Sequence, residues 1–156
     1  MADELKIGDA APDFTLPRDG GGQMSLSDFK GKKLVLYFYP KDDTSGCTME
    51  AKDFSALADA FKAVGAAVVG ASPDSAKQHD KFRDKYELTF PLLADESKQV
   101  LEAYGVWVEK SMYGRKYMGV ERSTFLIGPD GMIAKIWRKV KVTDHAAEVL
   151  AAAKAL

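Results

Sequence analysis

Six consecutive apolar residues, Leu34-Val35-Leu36-Tyr37-Phe38-Tyr39, end abruptly at Pro40. A run of this length with no polar alternation leaves no face for solvent and reads as a strand buried on both sides of a sheet. Such a strand needs other elements packed above and below it, which points to a layered α/β architecture. A polar, Gly-containing loop follows Pro40, and a helical pattern begins at Cys47, the only cysteine in the chain. Met49, Phe54, Leu57, Ala58, Phe61 and Val64 recur at spacings near three and four, and Gly65 supplies the C-cap. A lone thiol therefore stands at the first turn of a helix, just past a buried strand. Unpaired N–H groups and the positive end of the helix dipole favour thiolate over thiol there, so the cysteine reads as a reagent rather than a packing residue.

The remaining segments extend the same architecture. Asp9 to Pro17 alternates between prolines and reads as an edge strand or extended arm. Gly20-Gly21-Gly22 makes a turn, and Met24 to Phe29 holds a short strand and a helical turn. Ala66 to Ser72 is a second buried strand, and Ser75 to Tyr86 a helix with Phe82 on its inner face. Phe90 to Asp95 is short and extended, and Ser97 to Tyr104 a short helix. Val106 to Gly119 reads as an ordered loop or irregular hairpin. Arg122 to Ile127 and Met132 to Trp137 are strands joined by the turn Pro129-Asp130-Gly131, and Asp144 N-caps a closing helix, His145 to Ala153. The expectation is one domain over residues 1–156, a central mixed β-sheet flanked by helices.

The totals exclude several function classes. Twenty-two basic and 23 acidic side chains leave a net charge of -1, which gives no electrostatic footprint for nucleic acid or an anionic membrane. The cluster Arg138-Lys139-Val140-Lys141 reads as a solvated strand end. The opening Met1-Ala2-Asp3-Glu4-Leu5-Lys6 lacks the apolar core of a secretory signal, and no apolar stretch approaches the ~20 residues a membrane span requires. A single cysteine forms no internal disulfide and fits a reducing cytosol, so a cytoplasmic location is expected. It also excludes exchange through an intramolecular dithiol, since Glu50 occupies the place where the second thiol would stand. One cysteine with two distant histidines makes a poor zinc site, and neither a metal nor a cofactor is expected.

The chemistry must then come from the surroundings of Cys47. Thr44 stands three residues before it, with a hydroxyl able to face the sulfur. Pro40 stiffens the loop and shields the sulfur from water. Arg122, at the start of its strand, either points to solvent, pairs with Glu50 or Glu121, or places a permanent charge beside the thiolate. His79 and His145 read as surface residues. Phe38, Phe54, Phe61 and Phe125 read as core. Trp107, Met112, Tyr113 and Tyr117 roof a hydrophobic entrance or pack under the long loop, and the packing reading is preferred.

Taken together, these residues resemble the peroxiredoxins. Pro40-x-x-x-Thr44-x-x-Cys47 matches that family's active-site signature. Tyr37-Phe38-Tyr39-Pro40-Lys41, Gly46-Cys47-Thr48, Arg122-Ser123-Thr124-Phe125-Leu126-Ile127, the opening Gly8 to Phe14 and the loop Glu109 to Arg115 resemble its bacterioferritin comigratory protein subgroup, also called peroxiredoxin Q. The likeness runs from about Gly8 to Val142. It implies a thioredoxin-like fold and a thiol peroxidase acting on hydrogen peroxide and organic hydroperoxides. It implies that Cys47 attacks the peroxide and becomes a sulfenic acid, with Thr44 holding the peroxide, Arg122 and the Cys47 N–H stabilising the developing charge, Pro40 limiting solvent and Glu50 orienting Arg122. A monomer, or at most a weak dimer, is implied as well.

The chain departs from the subgroup at its second thiol. The two positions that carry a resolving cysteine in many members are Lys52 and Arg83 here, and Ser45 replaces a usual proline. The expected cycle therefore uses one cysteine, with thioredoxin, glutaredoxin or a small thiol as external reductant, and is open to over-oxidation. Two other readings compete with it. One is a redox sensor or holdase that passes its oxidised thiol to a partner. The other is an inert buried cysteine.

Overall fold

The computed structural model describes residues 4–156; residues 1–3 of the polar opening segment lie outside it. Two short strands, β1 (Thr15–Pro17) and β2 (Gln23–Ser25), pair antiparallel and run into a 3-10 turn at Leu26–Phe29. The apolar run forms β3 (Lys33–Phe38). After the polar loop come α1 (Ser45–Ala56) and α2 (Ala58–Ala63), then β4 (Ala66–Ser72), α3 (Ala76–Tyr86), β5 (Leu92–Ala94) and α4 (Gln99–Ala103). A hairpin of β6 (Trp107–Met112) and β7 (Arg115–Val120) precedes β8 (Ser123–Ile127), β9 (Ile133–Trp137) and α5 (His145–Ala155).

One five-stranded sheet, in the order β5-β4-β3-β8-β9, organises the chain. β3, β4 and β5 are mutually parallel, and β8 runs antiparallel to both β3 and β9. The mixed sheet expected from sequence is thus present, with the apolar run at its centre. Alternation along that strand feeds two cores. Val35 and Tyr37, followed by Tyr39, face a cluster with Phe54, Phe61, Phe82 and Val149, drawn from all the longer helices. Leu34, Leu36 and Phe38 face a second cluster with Phe14, Leu101, Tyr104, Val106 and Phe125. The four phenylalanines assigned to the core are all fully buried.

The helix carrying Cys47 differs from the sequence reading in two respects. It begins at Ser45, two residues before the cysteine, and breaks at Leu57 into α1 and α2. Met49 also points outward, half exposed, rather than inward. The segment read as a loop or irregular hairpin is a hairpin with unbroken register from Trp107↔Val120 to Met112↔Arg115. Its two-residue turn, Tyr113-Gly114, has positive φ at both positions, the geometry that matches strand twist. Trp107 packs against the core as preferred, whereas Met112, Tyr113 and Tyr117 are exposed, so the packing reading fails for those three. Asp144 precedes α5 as expected, yet its side chain makes no capping bond.

Both histidines overturn the surface reading. His79 is wholly buried on the inner face of α3, and His145 is buried at the start of α5. His145 Nε2 lies 2.8 Å from the Thr124 hydroxyl, and its ring meets Phe54 and Trp137 edge-on. Burial pulls its pKa down to about 4, so it is a neutral core imidazole at pH 7. Among the described residues no helix is long and apolar enough to cross a membrane.

Candidate active site

Topology brings the site together. β8 lies beside β3 with Ser123 opposite Phe38, so Arg122 stands level with the loop that leaves β3 at Pro40. The Arg122 carbonyl accepts the Val140 N–H at 3.0 Å, which fixes its backbone. On the other side of the loop, Thr44 occupies the N-cap of α1, and Cys47 is the third residue of the helix. The first ladder bond runs from the Thr48 N–H to the Thr44 carbonyl, at 2.8 Å. The amides of Ser45, Gly46 and Cys47 precede that ladder, the arrangement that makes a helix start receptive to negative charge.

The Arg122 guanidinium bridges the two halves. Its Nη2 donates to Cys47 Sγ at 3.3 Å, and its Nη1 donates to Glu50 Oε1 at 2.6 Å. Cys47 and Glu50 lie three residues apart on one face of α1, so a single planar cation reaches both. Gly46 is a participant the sequence reading missed. A Cβ there would stand 3.3 Å from Arg122 Nη2, so the absent side chain makes room for the guanidinium.

The site is dry. Cys47 and Glu50 are each 1% exposed, and the Arg122 side chain 17%. Burial raises the Glu50 pKa against the opposing pull of Arg122, leaving it at about 7. Arg122 feels the reverse balance: burial opposes its charge, while Glu50 and Cys47 favour it and prevail. Burial alone is also what an inert cysteine shows; the cation on the sulfur is what sets Cys47 apart.

Thr44 differs in detail from expectation. Its hydroxyl donates to the Lys41 carbonyl at 3.0 Å rather than to the sulfur. Its proton being committed, the oxygen offers lone pairs. Pro40 is half-buried at the start of the same loop. Of the two resolving positions, Lys52 is exposed, its ammonium 6.0 Å from the Tyr86 ring centre. Arg83 is in structural use, donating to the buried Asp19 carboxylate at 2.9 Å.

Comparison with known proteins gives the family. The AhpC/TSA family model matches residues 7–136. The chain belongs to the AhpC/TSA family, among its Bcp peroxiredoxins. It is 51% identical over 146 residues to a putative peroxiredoxin Bcp of Coxiella burnetii, covering 94% of this chain and 97% of that one. Peroxiredoxin Bcp of Bacillus subtilis is also 51% identical, over 94% and 93% of the two chains. Peroxiredoxin Q of Xanthomonas campestris superposes with a TM-score of 0.90 at 48% identity, over 97% of this chain and 96% of that one. The thioredoxin-like peroxiredoxin fold and thiol peroxidase activity expected from the resemblance follow from this membership. The Xanthomonas protein has also been solved with either of two cysteines, 36 positions apart, changed to serine. Arg83 stands 36 positions after Cys47, so the second thiol is the one this peroxiredoxin lacks.

Among the described residues, Asp42, Asp74 and His79 are grouped closely enough to hold a metal ion. His79 Nδ1 is already occupied by Asp42 at 2.6 Å and Nε2 by the Leu93 carbonyl at 2.8 Å, so the imidazole has no free lone pair for a ligand bond.

Proposed function

We propose that Cys47 is the peroxide-reducing thiol of this chain and that a second molecule completes its cycle. The contact between Arg122 and the sulfur carries the reading. The Cys47 thiolate attacks one peroxide oxygen, the O–O bond breaks, and the sulfur becomes a sulfenic acid. The other oxygen leaves with the bonding pair and takes a proton as water or alcohol. Negative charge moves from sulfur to the leaving oxygen. Arg122 and the Cys47 N–H are donors already in place along that line, and donors that need no reorientation stabilise a transition state most. The Thr44 oxygen, with its proton on Lys41, accepts the hydrogen of the incoming hydroperoxide. Glu50 holds the guanidinium in plane, and Pro40 covers the approach.

In the second half of the cycle an external thiol attacks the sulfenic sulfur, water leaves, and a mixed disulfide forms. A further thiol releases Cys47 and carries off the disulfide. Thioredoxin, glutaredoxin and small thiols all have the required chemistry. The structure of the Xanthomonas relative described for alkyl peroxide reduction supports organic hydroperoxides, beside hydrogen peroxide, as substrates. The resemblance supports a monomer or weak dimer as the working unit, and the single cysteine supports work in a reducing cytoplasm. Without added thiol and at low peroxide, each chain should consume one equivalent rapidly and then cease turnover, further uptake being only the slow over-oxidation of the sulfenic acid, and dithiothreitol should restore turnover. Continued rapid turnover without a thiol, or full activity in Cys47→Ser, would overturn the assignment.

A further inference from the structure

The peroxidatic loop is held from behind by α3. His79 lies wholly buried between that loop and β5. Its Nε2 faces the Leu93 carbonyl at 2.8 Å, an acceptor only, so that nitrogen bears a proton. Its Nδ1 faces Asp42 Oδ2 at 2.6 Å. The other Asp42 oxygen accepts the Tyr39 hydroxyl at 2.5 Å. An ionised Asp42 accepts at both oxygens, and the proton between Oδ2 and Nδ1 is then the second proton of the imidazole. The Asp42 N–H donates in turn to Asp74 Oδ2 at 2.8 Å, and Asp74 also receives the Ser72 hydroxyl at 2.7 Å. Asp42 lies two residues before Thr44, within the segment that sets Thr44 and Cys47.

We infer that His79, as a buried imidazolium, is a positioning residue for the peroxide reaction: it clamps Asp42, and through Asp42 the Pro40–Thr44 loop, in the reactive geometry. The inference rests on the assignment of Cys47 as the reacting thiol. The titratable groups facing the ring are Asp42 from the loop, Tyr39 from the end of β3 and Asp74 from the turn before α3. Burial pulls the His79 pKa down, but the bond and charge of Asp42, the Leu93 carbonyl and the charge of Asp74 together hold it above its ordinary value. Tyr39, buried beside Asp42, has its own pKa pushed up and remains a donor. The clamp is therefore closed below the folded-state pKa of His79 and is lost as pH rises through it.

The test uses nitrogen-15 NMR of the two histidines together with amide hydrogen exchange and single-turnover kinetics across pH. At pH 7 His79 should carry protons on both ring nitrogens, and His145 on one. As His79 deprotonates, exchange at residues 42–46 should accelerate and kcat/KM for hydrogen peroxide should fall about tenfold or more, the scale expected when a reacting group is misplaced. In Asp42→Asn all three transitions should move together to lower pH. Should that variant fail to fold, coincidence of the three transitions in the unmodified protein decides. A neutral His79 at pH 7, or loop exchange unmoved by its titration, would overturn the clamp whatever Cys47 does. Full peroxidase activity in Cys47→Ser would instead overturn the assignment on which it rests.

Discussion

Replacing Glu50 by Gln should make this protein more stable and less active at the same time. Glu50 is 1% exposed, and its pKa in the folded chain is raised from 4.5 to about 7, chiefly by burial. An unfolded chain releases this proton near pH 4.5, whereas the folded chain retains it to about pH 7. The group's contribution to stability is therefore complete below pH 4.5 and is lost as pH rises through 7. A shift from 4.5 to about 7 corresponds to about 3 kcal/mol at about 1.4 kcal/mol per unit. Glutamine has the shape of the protonated acid and never ionises. Near pH 4.5 the variant and the parent should differ little; at pH 8 the variant should be more stable by about 3 kcal/mol. Urea unfolding at pH 4.5, 6 and 8 measures the difference, and carboxylates common to both chains cancel in it. Single-turnover peroxide oxidation should be slower in the variant, since Arg122 loses the charged partner 2.6 Å from its Nη1. A variant less stable than the parent at pH 8, or a gap that does not widen with pH, would refute the reasoning.

Other perturbations separate chemistry from scaffold. Arg122→Ala should lose about 2–4 kcal/mol of barrier stabilisation for peroxide reduction, read as the second-order rate of Cys47 oxidation. Gly46→Ala places a Cβ 3.3 Å from Arg122 Nη2 and should slow the same step while leaving the urea midpoint nearly unchanged. Arg83→Ala should do the reverse. The buried Asp19 loses its 2.9 Å guanidinium partner, costing about 1–3 kcal/mol in urea unfolding, while the rate of Cys47 oxidation stays at the parent value.

Much of the proposed site was legible in the sequence because it is local. Pro40, Thr44, Cys47 and Glu50 fall within one strand-loop-helix unit whose hydrophobic pattern changes period at the loop. Arg122 is distant in sequence, yet its place at the head of an apolar strand marked it. The Thr44 hydroxyl escaped because a loop carbonyl competes for it, and nothing in the local pattern reveals a turn-closing bond. His79 was misread because its charged neighbours Lys77 and Lys81 are exposed while the imidazole turns inward, and His145 because a residue at a helix start reads as an exposed cap. His79 and Phe82 are three apart and share the buried face of α3, a spacing that would have exposed the error. The hairpin hid its register because Tyr113-Gly114 is not the usual composition for a turn with two positive φ values. Its exposed Met112 and Tyr113 project at the tip of a two-stranded ribbon, where hydrophobicity alone suggested a core.

Mass spectrometry of the protein after one equivalent of hydrogen peroxide, with and without a sulfenic-acid trap, tests the central claim most directly. The account predicts one added oxygen, located on the Cys47 peptide, captured by the trap and removed by an external thiol. An unchanged Cys47 peptide, with the oxygen absent or carried by methionine, would contradict it.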